Sequence, residues 1–264
     1  MNGSNKNSVT EPAANEALMD RSEICSRMEF CPQSPSAQNG VKFEMDFLSE
    51  SSLLEMVSLQ DLILGHLPDP EIFFPHDRDY FRQIFQHDRS VIGVRVKESL
   101  AAYSIIRIPG HEQDNLGRDI GLAEDELTSV AHLQATVVHP AFRGNGLQRK
   151  MAAAHLHVIE DLGFKHVCCT VSPKNPASLG NIIHSGLVIK GLRPKFGGWW
   201  RYIMYRNLSW PRDMHKALER DEKTVVGSDL SGQRVLLNEG FVGFKMVTQS
   251  NGFVLSYGKI SALQ

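Results

Sequence analysis

A short glycine-rich turn joins a run of strand-forming residues to a long helix in the middle of the chain. The turn spans residues 143–146 (Arg-Gly-Asn-Gly) and lies within the stretch from Ala131 to Gly163. Glycine reaches backbone conformations that other residues avoid, so the first N–H groups of the helix can approach an anion closely, where the helix dipole favours negative charge. The sequence therefore predicts an α/β arrangement with a phosphate-binding turn at the strand-to-helix junction.

The helix that follows the turn is predicted to be amphipathic. Apolar residues recur every three or four positions along one face, namely Leu147, Met151, Ala154, Val158 and Leu162. Gly163 supplies a C-terminal stop. The turn lacks the Gly-Lys-Ser/Thr ending of a P-loop, and its glycine spacing differs from that of a dinucleotide-binding fingerprint. The bound phosphate is therefore predicted to belong to another class of ligand.

The segment from Val137 to Leu147, VVHPAFRGNGL, resembles the acyl-CoA-binding segment of the GNAT superfamily of N-acetyltransferases. The family pattern Arg/Gln-x-x-Gly-x-Gly/Ala is met at Arg143 and Gly146, whereas Gln148 occupies the last small position. The resemblance implies a mixed, splayed central β-sheet flanked by helices. It also implies acetyl-CoA as co-substrate and an amine-bearing acceptor as the second substrate.

The same resemblance assigns the cofactor-binding residues. The pantetheine arm is expected along the central strand, where Val138 or its neighbour polarises the thioester oxygen. The pyrophosphate is expected at the turn, and a second motif, Asn-x-x-Ala/Ser, begins the following helix. The residues concerned are Thr136, Val137, Val138, Arg143, Gly144, Asn145, Gly146, Leu147, Gln148, Arg149, Asn175 and Ser178.

Candidate catalytic residues lie on the same strand. Strand alternation predicts that His132, Gln134 and Thr136 share one face. His132 has the spacing from the turn of the strand histidine that serotonin N-acetyltransferases use as general base. We therefore predict His132 as the base, with Gln134 beside it; the alternative is that His132 is a surface or hydrogen-bonded structural residue at the start of the strand. Tyr205, on the last strand of the domain, is a candidate acid.

Two other candidates for the acid are His184 and Tyr202. Ribosomal-protein alanine acetyltransferases use a glutamate and a tyrosine at positions that are Thr170 and Ile182 here. A CoA-binding sensor without turnover is therefore an alternative to an N-acetyltransferase. A transferase of a longer acyl group is a third hypothesis.

Composition divides the chain into three parts. Residues 1–40 are rich in Asn, Ser and Pro without apolar periodicity, which predicts a disordered tail. Residues 41–208 are predicted to form strands and helices in the order that the resemblance implies for a GNAT domain. Residues 209–264 are predicted to form a small β-rich extension that packs on the main domain or on a partner subunit, so a homodimer is one hypothesis. Its predicted strands are Thr224–Gly227, Gln233–Leu237, Phe241–Val247 and Phe253–Tyr257.

Two local features of the main domain lead to further predictions. Ser52 and Glu55 have the spacing of a capping box at the start of the first helix. The acidic connection Pro109–Ser129 is long, with a short helix predicted at Leu122–Leu127. It is interpreted either as a solvated surface or as a substrate-side loop that attracts a cationic amine.

Charge and composition exclude several classes of protein. A formal net charge of −2 over 264 residues argues against a nucleic-acid-binding surface. Neither a membrane-length apolar run nor a signal sequence is present, which predicts a cytoplasmic protein without a membrane partner. The four cysteines lack metal-ligand spacing, so they are predicted to be free thiols and no metal site is expected.

Overall fold

The computed structural model describes residues 41–211 and 214–259. The predicted tail 1–40 lies outside these residues. Within them, ten strands form one sheet in the order β1-β2-β3-β4-β5-β7-β6-β9-β10-β8. The strands are β1 Glu44–Phe47, β2 Val91–Val96, β3 Ser99–Arg107, β4 Val130–Val138, β5 His166–Val171, β6 Val188–Lys195, β7 Trp199–Asn207, β8 Lys223–Val226, β9 Phe241–Gln249 and β10 Gly252–Lys259. The β4–β5 pair is parallel and the other described pairs are antiparallel.

Helices cover both faces of this sheet. They are α1 Leu53–Leu64, α2 Arg78–Phe85, α3 Leu116–Asp119, α4 Leu147–Asp161, α5 Pro176–His184, α6 Met214–Leu218 and α7 Leu230–Asn238. Short 3₁₀ helices lie at Glu50–Ser52, Pro70–Ile72, Glu124–Ser129, Pro140–Phe142 and Glu219–Asp221. The predicted fold class, a mixed sheet flanked by helices, is therefore confirmed. Among the described residues, no helix is long and apolar enough to span a bilayer.

A β-bulge in β4 decides which side chains face which helices. Ile105 pairs with Ala135 and Ile106 with Leu133, so Gln134 is an extra residue on β4. Before the bulge, Leu133 packs in the core beneath α4 and α5; after it, Ala135 packs in the core beneath α1 and α2. The bulge thus reverses the alternation of the strand. The prediction that His132 and Thr136 share one face was therefore wrong.

The strand β4 also separates from its neighbour β5. Their parallel pairing covers only Val130–His132 against His166–Cys168, and it ends there while both strands continue. The second half of β4 is paired to β3 alone. The sheet is therefore splayed beside Gln134, as the family resemblance implied.

The C-terminal segment continues the same sheet through one residue pair. Ile189 of β6 lies opposite Gly243 of β9. A Cβ atom at Gly243 would lie 2.8 Å from the Ile189 side chain, so this close approach requires glycine. The predicted strands near β8, β9 and β10 are observed.

The predicted strand Gln233–Leu237 was wrong, because these residues lie in α7. Asp229 caps this helix by accepting the Gly232 N–H at 2.8 Å. Gln233 and Leu236, three residues apart, are both buried on one helix face. The Gln233 side-chain oxygen accepts hydrogen bonds from the hydroxyl groups of Tyr202 (2.8 Å) and Tyr257 (3.0 Å), which hold α7 against the sheet.

The first helix begins where the sequence predicts, but without the predicted capping box. Ser52 makes no side-chain cap bond to α1. Arg95 of β2 instead donates to the Ser52 hydroxyl at 3.4 Å and pairs with the Glu55 carboxylate at 2.5 Å. Both side chains of the predicted box therefore bind a residue of the sheet.

His155 makes the stability of the fold sensitive to acid. It is fully buried on α4, and its Nε2 lies 3.0 Å from the Ser104 carbonyl oxygen. Its Nδ1 has no hydrogen-bond partner within residues 41–211 and 214–259. Because a carbonyl oxygen can only accept a hydrogen bond, Nε2 carries the proton and Nδ1 carries a buried lone pair. Burial lowers the pKa of His155 to about 4, below the roughly 6.5 of an unfolded chain.

We expect His155 to contribute stability that is fully present above about pH 6.5 and is lost as the pH falls towards 4. Between about pH 7.5 and pH 4.5 the loss in unfolding free energy from this residue is about 2 kcal/mol. A His155→Gln variant should lose less stability over this range, measured by urea unfolding. His157→Gln, at an exposed position on the same helix, is the control and should behave as the wild type; equal pH dependence of all three proteins would contradict the prediction.

Candidate functional site

Three adjoining cavities run across the splayed part of the sheet. The first, the helix-side groove, has a volume of about 440 Å³ and lies between the start of α4 and residues 63–73. The second, the neck, has about 100 Å³ and lies between the separated halves of β4 and β5. The third, the outer cavity, has about 550 Å³ and lies between α2, the end of β3 and the β6–β7 turn. Lining residues shared by successive cavities place the neck between the other two.

The backbone of β4 offers free hydrogen-bonding groups to the gap between the strands. The His139 N–H donates to the Ala101 carbonyl of β3 at 2.9 Å. Since antiparallel backbone groups alternate in direction, the N–H and C=O groups of Val138 and Thr136 point away from β3 and into the gap. Those of Val137 point to β3, and its side chain is buried. The backbone groups of Thr136 and Val138 are therefore free to bind a ligand in the gap, whereas Val137 has a packing role.

The glycine-rich turn has the conformation of an anion cradle. Gly144 and Gly146 have φ values of +82° and +70°, in the left-handed region that favours glycine. The helix α4 then begins without a side-chain cap. Within the described residues, the backbone N–H groups of residues 144–149 have no hydrogen-bond acceptor. These unsatisfied donors and the positive end of a 15-residue helix suit a phosphate.

The remaining side chains of the predicted cofactor site fall into two groups. Arg143, Arg149 and Leu147 line the helix-side groove, with both arginines exposed. Asn145 is absent from its lining; its amide donates to the Phe142 carbonyl at 3.0 Å and closes the turn. The structure thus gives Asn145 a structural role.

Gln148 departs from the family pattern without filling the cradle. Its amide donates to the Ser178 hydroxyl at 2.9 Å and accepts from Asn181 at 2.8 Å, which ties α4 to α5. Asn175 caps α5 by accepting the Ser178 N–H at 3.0 Å. Gln148, Asn175 and Ser178 line both the helix-side groove and the neck, whereas Asn181 lines only the groove. The second predicted motif therefore lies beside the first.

The predicted base, His132, is not supported by its surroundings. Only 2% of the residue is exposed, and its Nε2 accepts the Leu116 N–H at 3.1 Å. Burial lowers the pKa of His132 to about 3, and the residue lines none of the three cavities. The structure gives His132 the role of fixing α3 against β4.

The predicted acid and its alternatives also lie elsewhere. The Tyr205 hydroxyl is 3.0 Å from His166 Nδ1, in a buried cluster around α3. The Tyr202 hydroxyl donates to Gln233 at 2.8 Å, beneath α7. His184 lines a separate surface groove. None of these side chains reaches the neck.

Gln134 is the one predicted catalytic residue at the junction of the neck and the outer cavity. As the bulge residue it lines both cavities. Its amide makes no hydrogen bond to the described part of the chain. It can therefore bind a ligand that occupies the junction.

His76 lines the same junction, and sequence reasoning missed it. Its ring stacks on Tyr80 with centroids 4.0 Å apart, and its backbone is held by both atoms of the Gln60 amide, at 2.8 and 2.9 Å. Burial lowers the pKa of His76 to about 4, so the imidazole is neutral near pH 7. What separates His76 from His132 is access: the neutral ring of His76 lines both cavities and can accept a proton there, although a pKa of about 4 makes it a weaker base than an ordinary histidine.

Tyr80, on α2, was also missed by sequence reasoning. Its buried hydroxyl has no hydrogen-bond partner among the residues that the structure describes, and Tyr80 lines the outer cavity. Burial raises its pKa well above the usual range, so it remains a proton donor. No sequence motif marks His76 or Tyr80; the clustering of polar aromatic residues in a short segment is the only signal.

The acidic connection contributes carboxylates that are mostly paired. Arg107 of β3 pairs with Asp114 (2.7 Å) and with Glu112. Arg118 pairs with Glu124 at 2.6 Å. Arg107, Glu112 and Asp114 line the outer cavity, so this part of the connection faces the candidate site. The predicted short helix is the 3₁₀ helix Glu124–Ser129.

Comparisons with known proteins find one matching family model and several solved structures of similar fold. Residues 58–181 match the model of the Acetyltransferase (GNAT) family. A GNAT-family acetyltransferase from Streptococcus pneumoniae is 13% identical, with a TM-score of 0.50, over 64% of this chain and 100% of that chain. Its likeness shows the fold alone. None of the curated proteins matches this chain.

Two further solved structures are similar at TM-scores just below 0.5. A GNAT-family acetyltransferase from Listeria monocytogenes is 18% identical, with a TM-score of 0.48, over 64% of this chain and 97% of that chain. A protein from Salmonella typhimurium, solved with acetyl-CoA as its cofactor, is 16% identical, with a TM-score of 0.49, over 64% of this chain and 96% of that chain.

Proposed function

We propose that this chain, of which residues 58–181 match the model of the Acetyltransferase (GNAT) family, is an N-acetyltransferase that uses acetyl-CoA and a primary amine. The observation that carries the proposal is the row of unsatisfied N–H groups at the start of α4, at one end of the helix-side groove. The groove continues into the neck, where the backbone of β4 is free. This arrangement fits a long ligand with a diphosphate at one end and a thioester at the other.

Each part of the chain has a distinct role in this proposal. Acetyl-CoA, when bound, supplies an acetyl group as a thioester. The turn and the first turn of α4 hold the diphosphate, and Val138 and Thr136 hold the pantetheine arm through backbone hydrogen bonds. A β4 N–H group at the neck stabilises negative charge on the thioester oxygen.

The acceptor amine reaches the neck from the outer cavity. An ammonium group must lose a proton before its nitrogen can attack, and we assign this proton to His76. The nitrogen–carbon bond forms, the carbon–sulfur bond breaks, and the products are the N-acetyl compound, CoA thiol and one proton. Gln134 orients the acceptor, and Tyr80 donates a hydrogen bond to it within the outer cavity.

The direct test combines CoA binding with turnover. We expect calorimetry to detect CoA binding, and a free-thiol assay to detect CoA release from acetyl-CoA with at least one member of a panel of primary amines. Tight CoA binding without release on any amine would favour a sensor. A chain-length series of acyl-CoAs tests the longer-acyl alternative, which predicts faster release from a longer acyl group than from acetyl. Failure to bind CoA would overturn the assignment.

A further inference from the structure

Arg201 is a buried cation at the neck. The residue is 3% exposed and lines the neck, where β7 begins. Its guanidinium donates to two backbone carbonyls, those of Glu71 (2.6 Å) and Trp200 (3.0 Å). It also lies over the rings of Phe196 (5.2 Å) and Trp199 (5.4 Å). Two of its five N–H donors are thus engaged by protein atoms.

Arg201 has no carboxylate partner in the described part of the chain. The other cations beside the outer cavity are paired: Arg107 with Asp114 and Glu112, and Lys195 with Asp119 at 2.5 Å. Nearby Glu71 directs its carboxylate to Lys174 instead, at 2.8 Å. A buried charge is costly unless it is paired. Arg201 therefore faces the neck with donors that a bound anion could use.

We propose that Arg201 binds the carboxylate of the acceptor, and that the acceptor is an α-amino acid. This inference rests on the proposed N-acetyltransferase activity. The neck holds only about 100 Å³, so an amine and a carboxylate that both enter it must lie close together. An α-amino acid carries both groups on one carbon atom. Its side chain would then extend into the adjoining outer cavity.

The outer cavity can take such a side chain. Its volume is about 550 Å³, and its walls combine the aromatic residues Phe74, Tyr80 and Phe196 with the paired charges around Arg107. Phe74 and Phe196 stack with ring centroids 4.6 Å apart, beside the neck. Phe196 adopts a φ of +50° at the β6–β7 turn, a conformation that residues other than glycine rarely adopt. The turn thus places an aromatic ring and Arg201 on the same side of the neck.

A purely structural role for Arg201 makes a different prediction. Its bond to the Glu71 carbonyl fixes the segment around Pro70–Ile72, which covers the helix-side groove. If this were its only role, loss of the guanidinium would weaken CoA binding and turnover of every acceptor alike. A carboxylate site instead predicts a loss restricted to acceptors that carry the carboxylate.

The test compares matched acceptors on the full-length protein. Each L-α-amino acid of a panel is paired with its amide and with the amine that lacks the carboxylate. We expect kcat/KM to be at least about 10-fold higher for the preferred amino acid than for its amide or for the amine without the carboxylate. The reason is that charge-assisted hydrogen bonds are stronger than hydrogen bonds between neutral groups. This comparison needs only the wild-type protein, so it holds even if a variant fails to fold.

Two variants then assign the effect to Arg201. Arg201→Met should abolish the preference while the calorimetric Kd for CoA stays within about threefold of the wild type. Arg201→Lys should retain part of the preference, because the charge remains but the fork geometry is lost. Equal loss for all three acceptor types, no preference in the wild type, or CoA binding without turnover of any amino acid would overturn the inference. Absence of CoA binding would instead overturn the proposed function.

Discussion

A Gly144→Val variant is expected to bind CoA about 100-fold more weakly than the wild-type protein. Valine disfavours the φ of +82° that Gly144 adopts, so the turn must either store strain or rotate its N–H groups away from the groove. A hydrogen bond to a charged group contributes about 1.5–3 kcal/mol, and loss of one or two such bonds corresponds to the expected decrease. Isothermal titration with CoA measures it.

Gly163→Val is the matched control for this variant. Gly163 has a φ of +79°, follows the other end of α4, and has open space around the position of a Cβ atom, as Gly144 does. Both substitutions should therefore lower the unfolding free energy by a similar amount, about 1–2 kcal/mol. Only Gly144→Val should lose CoA affinity. Equal CoA affinity of the two variants would show that the turn does not bind the diphosphate.

A His76→Gln variant is expected to lower kcat by about 100-fold to 10,000-fold, the range for loss of a general base. Glutamine keeps a polar group at the neck but does not accept a proton near pH 7. The KM for acetyl-CoA should stay close to the wild-type value, since His76 lines the neck and the outer cavity rather than the helix-side groove. Steady-state CoA release measures both quantities.

The pH dependence distinguishes a base from a structural residue. The pKa of His76 is about 4, so the wild type should keep this base in its active form down to about that pH. At high pH the acceptor amine is already neutral, so the deficit of His76→Gln should shrink. His157→Gln, at an exposed position that lines none of the three cavities, should retain wild-type activity. A deficit of constant size at every pH would exclude His76 as the base.

The sequence by itself determined the glycine-rich turn and the helix that follows it. The turn needs left-handed φ values at residues 144 and 146, and glycine supplies them at both positions. The helical spacing of the apolar residues from Leu147 onwards also lies within one continuous segment. A proposed phosphate site built from one continuous segment can be predicted from that segment alone. The same holds for most strands of the main domain.

Only the tertiary structure decided the acceptor side of the site. His76, Gln134 and Arg201 meet at the neck from three separate parts of the chain. The bulge at Gln134 depends on the pairing of β4 with β3, and it reversed the alternation on which the prediction for His132 rested. Residues distant in the sequence bury His132 and make it a structural histidine. His76, in contrast, lines the neck and the outer cavity. Such contacts are long-range, so no local pattern encodes them.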